Sequence, residues 1–181
     1  MKTIRNVPIN FFLVFFTLIF IGLKPNNIYG QTTTIPDTNF EQALIDLGID
    51  SDGVINQSIL KTDAESVTSL DVSSRSISDL TGIASFHNLG SLNCSNNEIT
   101  NSSFSIGSQY FNTLNISGNK MTTFSINFIS SRINSLNISN NPNLNYLKIQ
   151  THAYHETNID ASNNPVLKTL ICTGSYLESI N

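Results

Sequence analysis

Apolar and polar residues alternate in short quartets that return at a fixed interval. Leu70-Asp71-Val72-Ser73, Leu92-Asn93-Cys94-Ser95, Leu114-Asn115-Ile116-Ser117 and Leu136-Asn137-Ile138-Ser139 lie 22 residues apart, and Ile159-Asp160-Ala161-Ser162 follows after 23. Alternation of this kind is strand periodicity, with the two apolar side chains on one face and the polar ones on the other. Three residues after the second apolar position stands Asn97, Asn119, Asn141 or Asn164, and a further apolar residue (Ile77, Ile99, Met121) comes close to that corner. The unit reads L-x-L-x-x-N.

A period of about 22 residues predicts a stack of similar coils, each burying one face against its neighbours. After each strand the chain must turn sharply to begin its return. An Asn turned inward at that corner can pair backbone groups of its own coil and of adjacent ones, because its amide both donates and accepts. Asn97, Asn119, Asn141 and Asn164 are therefore expected to form a structural ladder, with Arg75 and Ser175 replacing Asn at the two ends. The outward strand positions form columns: Asp71, Asn93, Asn115, Asn137 and Asp160; Ser73, Ser95, Ser117, Ser139 and Ser162; and Ser69, Ser91, Thr113, Ser135 and Asn158. The expected fold is a right-handed solenoid of about five coils over residues 69–181, with one parallel sheet on its concave side and an irregular convex side.

Residues 31–68 read differently. Thr38-Asn39-Phe40-Glu41 has the T-x-x-E form of a capping box. Phe40, Ala43, Leu44 and Leu47 then repeat as one apolar helical face, and Gly48 ends the helix. A solenoid needs its first open end covered, so this segment is expected to be a small helical N-terminal cap. No equivalent cap is visible before Asn181.

The segment SLDVSSRSISDLTGIASFHNLGSLNCSNNEIT resembles the repeat of internalin-type bacterial leucine-rich-repeat proteins, with Leu70, Val72, Ile77, Leu80, Ile83, Phe86 and Leu89 at the apolar positions of a full unit. Later, Leu136, Leu147, Ile159 and Leu170 mark half-units of 11 to 12 residues, and SNNPNLNYL and SNNPVLKTL echo each other. That part is similar to the N-rich repeats of exported proteins in gliding Gram-negative bacteria. The resemblance covers residues 35–181. It implies a leucine-rich-repeat solenoid whose concave sheet is the usual ligand surface, which places the candidate ligand face on Asp71, Asn93, Asn115, Asn137, Asp160, Ser73, Ser95, Ser117 and Ser139. The family usually continues further, so the resemblance also implies either a truncated product or the front part of a longer protein.

Lys2 and Arg5 precede an uncharged apolar run of 13 residues, Phe11–Leu23. The run is short for a membrane span and fits a signal peptide over residues 1–30, with cleavage before Gln31. The expected location is secreted or on the outer cell surface, with no stable membrane insertion after cleavage. Six basic residues against 13 acidic ones then leave a net charge of −7, with nine of the acids between Asp37 and Asp79. Without a basic stripe, nucleic acid is not an expected partner.

Cys94 and Cys172 stand at apolar repeat positions several coils apart, too far for a disulfide, and read as small buried hydrophobes. Asp50-Ser51-Asp52-Gly53 has the form of half a calcium loop, but Gly48 and Ile59 fall where ligands belong, so a turn explains it better. His152 and His155 fit no zinc motif and read as loop residues. No catalytic constellation, metal or cofactor is expected. The function expected is a non-catalytic binding or adhesion module for a protein or glycan, and the alternative is a structural spacer within a larger exported protein.

Overall fold

A computed structural model describes residues 31–128, 133–150, 156–174 and 176–180. Residues 1–30, where a signal peptide is expected, Ser175 and the His152–His155 stretch lie outside these residues.

The repeats stack into a parallel β-solenoid. Its long sheet holds six strands: β3 (Ser69–Asp71), β4 (Ser91–Asn93), β5 (Thr113–Asn115), β7 (Ser135–Asn137), β9 (Glu156–Asp160) and β11 (Tyr176–Ile180), in the order β3-β4-β5-β7-β9-β11. Each quartet sits beside its own repeat, so Leu70 pairs with Leu92, Leu92 with Leu114, Leu114 with Leu136 and Leu136 with Ile159. All five side chains are at most 2% exposed. The second inward column, Val72, Cys94, Ile116, Ile138 and Ala161, is buried beside them. Parallel pairing continues past the strand ends, since the N–H groups of Val72, Cys94, Ile116 and Ile138 donate to the next coil's Asn93, Asn115, Asn137 and Asp160 carbonyls.

The returning arm changes character along the stack. In the first coil it is irregular, with a short 3-10 turn at Ile83–Ser85. From the third coil it becomes a second, three-stranded parallel sheet, in the order β6-β8-β10: β6 (Thr123–Asn127), β8 (Tyr146–Gln150) and β10 (Thr169–Thr173). The half-units at Leu147 and Leu170 are the strands of this sheet. Phe124 and Leu147 stack inward in register, as do Ile126 and Ile149, all nearly or wholly buried. The alternate residues point outward in three rows, Thr123–Tyr146–Thr169, Ser125–Lys148–Ile171 and Asn127–Gln150–Thr173. Aromatic rings fill the space between the arms, with Phe104 and Phe124 at 5.5 Å and Phe111 and Phe128 at 6.1 Å between centroids.

Before the first coil come β1 (Thr32–Thr34), α1 (Thr38–Asp46), β2 (Ser58–Leu60) and α2 (Lys61–Ser66), with β1 and β2 antiparallel. Phe40 of α1 packs on Phe86, centroids 6.5 Å apart, and Asn39 donates its amide to the Ser76 carbonyl. The N-cap of α1 is Asp37 and not Thr38. One Asp37 oxygen accepts the N–H groups of Asn39 and Phe40, and the other accepts the Ser78 and Asp79 N–H groups and the Ser78 hydroxyl. Asp37 thus ties the helix start to the first coil, which Thr38 could not do with one hydroxyl.

Glu41, the supposed second half of a capping box, points elsewhere. It is fully buried and accepts the N–H groups of Asn56, Gln57 and Ser58. A buried carboxylate with three backbone donors organises the loop before β2. Leu47 does not complete the apolar face, being 44% exposed, because the helix has already ended at Asp46. Gly48 then takes φ +68°, and the Gly48 and Ile49 N–H groups bond the Ile45 and Leu44 carbonyls.

Candidate binding surface

Two Asn positions per coil have opposite roles, and both are set by the strand's period of two. Asn97, Asn119 and Asn141 lie inside, at most 5% exposed, and Asn164 is half-buried. The Asn119 amide donates to the carbonyls of Ile116 and Ser117 in its own coil and of Cys94 in the coil before, while its Oδ1 accepts the Ile99 N–H. Asn141 repeats the pattern on Ile138, Ser139, Ile116 and the Asn119 N–H. Asn97 donates to Cys94, Ser95 and Val72 and accepts from Arg75 and Ile77; Asn164 donates to Ala161 and Ile138 and accepts from Asn141. At the first corner the Arg75 side chain leaves the interior and pairs with Asp46 at the end of α1.

The corner itself needs a left-handed residue just before each of these Asn. Asn96, Asn140 and Asn163 have φ of 56–57°, and Gly118 has +66°. The Ser-Asn-Asn and Ser-Gly-Asn triplets carry that signal, because Asn and Gly are the residues that tolerate this conformation. The alternation of apolar and polar positions carries no signal for this first Asn of the doublet.

On the outer side, Asp71, Asn93, Asn115, Asn137 and Asp160 stand one strand apart along the long sheet. They are already hydrogen-bonded. The N–H of the Ser two residues on donates to each, at 3.0–3.2 Å. The hydroxyls of Ser73, Ser95, Ser117 and Ser139 donate to the same oxygens at 2.7–2.8 Å. This turn draws the Ser column inward: Ser95 is 6% and Ser139 4% exposed, while Ser73 and Ser117 are half-buried. Ser95 and Ser139 therefore offer no outward hydroxyl, contrary to the expected outward column. The Asn/Asp column stays accessible, with Asp71 exposed and the other four half-buried. Hydrogen bonds from Ser73, then from Asn93, hold the Asp71 carboxyl below its ordinary value.

Among the described residues no group of three or more His, Cys, Asp or Glu side chains is placed to hold a metal ion. In the DSDG segment, Asp52 caps its own turn through the Val54 N–H, and Asp63 accepts the Ser51 N–H and hydroxyl. Asp50 is 3% exposed with neither carboxylate oxygen hydrogen-bonded, and burial together with the charge of Asp52 pushes its pKa up. Both cysteines are free. Cys94 is buried in the long-sheet column, which raises its thiol pKa strongly, whereas Cys172, on β10, is only half-buried. His87 lies 3.5 Å from Glu65 on the surface. No helix of the described residues is long and apolar enough to cross a membrane.

No family model matches the chain, and no curated protein matches its sequence. Solved structures of internalins from Listeria monocytogenes are similar to it. The functional domain of InlJ, which includes a cysteine ladder, aligns at 20% identity and a TM-score of 0.38 over 84% of this chain and 45% of InlJ. Internalin C2 aligns at 15% identity and 0.40 over 84% of this chain and 97% of the other. InlF aligns at 16% and 0.42 over 81% and 58%. The chain thus spans about half the length of the InlJ and InlF chains it resembles.

Proposed function

We propose that this chain is an exported, non-catalytic binding module that engages a protein or glycan through the outward face of its long sheet. In this reading residues 1–30 are a signal peptide, 31–68 a cap and 69–181 the repeat body. The supporting observation is the Asp71, Asn93, Asn115, Asn137, Asp160 column. Its side chains are held in one orientation by the following Ser and repeat at the strand spacing of about 4.8 Å. Groups ordered before binding lose less entropy when a ligand arrives. The rival reading, a structural spacer, draws on the same bonds: they satisfy the column internally, and no Trp, Tyr or Arg stands in this column as an anchor.

The test is a glycan array and a panel of purified extracellular matrix proteins, probed with the full chain and with an Asn93→Arg/Asn115→Arg/Asn137→Arg variant of unchanged circular dichroism. Binding that the triple variant loses supports the module. Binding to nothing on either panel supports the spacer.

A further inference from the structure

The short sheet has a second outward face with a different chemistry. Its middle row is Ser125–Lys148–Ile171, and Tyr146, Asn127 and Gln150 flank it. Every outward position of β6, β8 and β10 is half-buried or exposed, so no described element covers the sheet. Ile171, on the outside, is 36% exposed. The face spans roughly 10 Å across its strands and about 16 Å along them. Its inner rows pack into the core at β6 and β8, through Phe124, Leu147, Ile126 and Ile149, whereas Leu170 of β10 is exposed and Cys172 half-buried.

Charge distinguishes this face from the rest of the protein. Between Glu98 and Glu156 the chain contains no Asp or Glu, but it contains Lys120, Arg132 and Lys148. Lys148 is the sole charge among the nine outward positions of the sheet. Lys168, just before β10, is exposed at the Tyr146 end, placed there by its N–H bond to the Asn145 carbonyl. The acids of residues 37–79 belong to the other end of the stack. A cation on a flat field of hydroxyls and amides, beside one aromatic ring, suits an anionic chain rich in hydroxyl groups. It suits a protein partner poorly, since such interfaces want a cluster of large anchors.

We infer that the outward face of the short sheet, centred on Lys148 and Tyr146, is a binding surface for an acidic polysaccharide. The tyrosine ring stacks on a sugar face, Lys148 pairs with a carboxylate of the polymer, and Asn127 and Gln150 bond its hydroxyls. This surface is separate from the long-sheet column and stands or falls without it.

Affinity gel electrophoresis of the full chain with polygalacturonate in the gel tests the assignment, with dextran as the neutral control. Polygalacturonate should retard the protein and dextran should not. Lys148→Glu should weaken retardation by about tenfold or more, Tyr146→Ala should weaken it less, and added salt should reduce it. Lys61→Glu makes the same charge change in α2, before the first coil, and should leave retardation within about twofold. Lys148→Gln serves if the Glu variant melts early.

Absence of retardation, equal retardation by dextran, or equal loss in Lys61→Glu would overturn the assignment. So would retardation by single-stranded DNA in place of polygalacturonate. Loss in the Asn93/Asn115/Asn137 variant with Lys148→Glu unaffected would move the glycan to the long sheet, overturning this inference while upholding the function proposed above.

Discussion

The backbone N–H of Asn119 donates to the side-chain oxygen of Asn141 at 3.1 Å, across 22 residues of chain. The same Asn141 amide holds three carbonyls from two coils. Removing it leaves the buried Asn119 N–H without its acceptor and takes one of two bonds from each of the Ile116, Ile138 and Ser139 carbonyls, which keep Asn119, Asn164 and Gly118 as donors. Asn119→Ala and Asn141→Ala are each expected to cost about 1–3 kcal/mol, the cost of one buried N–H left unpaired, at Ile99 and at Asn119 respectively. Asn115→Ala and Asn137→Ala break only the half-buried bonds to Ser117 and Ser139 and should cost about 1 kcal/mol. Urea unfolding midpoints check the difference, and equal midpoints for the two pairs would refute it.

Glu41 is the buried acceptor that organises the loop before β2. Glu41→Ala leaves the Asn56, Gln57 and Ser58 N–H groups without their acceptor and should cost about 3 kcal/mol or more. Glu41→Gln keeps one acceptor oxygen but puts an NH2 group before a donor, so it should recover only part of that loss. Thermal melts of the two variants should rank wild type, Gln, Ala.

Gly118 combines a left-handed backbone with a neighbour in the way. A Cβ there would press on the Asn96 side-chain oxygen of the preceding coil. Gly118→Ala should therefore cost about 1–2 kcal/mol. In an Asn96→Gly background the obstruction is gone while the backbone penalty stays, so the same substitution should cost measurably less. A double-mutant cycle in denaturant reads the coupling, and strict additivity would sink the steric explanation.

Two aspartates should respond to acid in opposite directions. Burial raises Asp50, so the folded protein favours its protonated form. Its charge weakens the fold at neutral pH, and that loss fades as pH falls through the raised value to below 3.8. Asp50→Asn should raise the melting temperature at neutral pH and give no advantage in strong acid. For Asp37, burial alone would raise the pKa, but hydrogen bonds from Ser78, Phe40 and Asp79 outweigh it and hold the group low. Its contribution is complete above 3.8 and is lost as pH falls through the lowered value. Asp37→Asn should destabilise at neutral pH, with the difference shrinking well below pH 3.8. Melting curves against pH would expose a wrong sign for either residue.

The solenoid was legible because Leu70, Leu92, Leu114 and Leu136 recur without a slip, and alternation assigns each strand its inner face. The short sheet was harder to see. Tyr146–Gln150 alternates as cleanly as any long-sheet strand, but the first coil puts a 3-10 turn in the corresponding arm, so one repeat misrepresents the others. At the helix start, Asp37 and Thr38 are both good caps, and only the tertiary bonds to Ser78 and Asp79 decide between them. The Asn doublets posed a similar choice: Asn140 and Asn141 are the same residue type, and a φ of 57° at Asn140 is what turns its neighbour inward. The outer columns followed from alternation alone, which carries no information about the bond that pulls Ser95 and Ser139 under the surface. Leu47 was misplaced for a simpler reason, since a helical period extends on paper past the residue where the helix stops.

The spine of inward amides carries no net charge. Its strength depends on desolvated, neutral hydrogen bonds, which mobile ions do not screen. The ion pairs Arg75–Asp46 and Lys120–Glu98, and the His87–Glu65 contact, all lie on the surface, where pairs contribute little. The repeat body is thus indifferent to ionic strength. Its acid-rich entrance, from Asp37 to Asp79, repels itself most in dilute solution, so dilution loosens that end first.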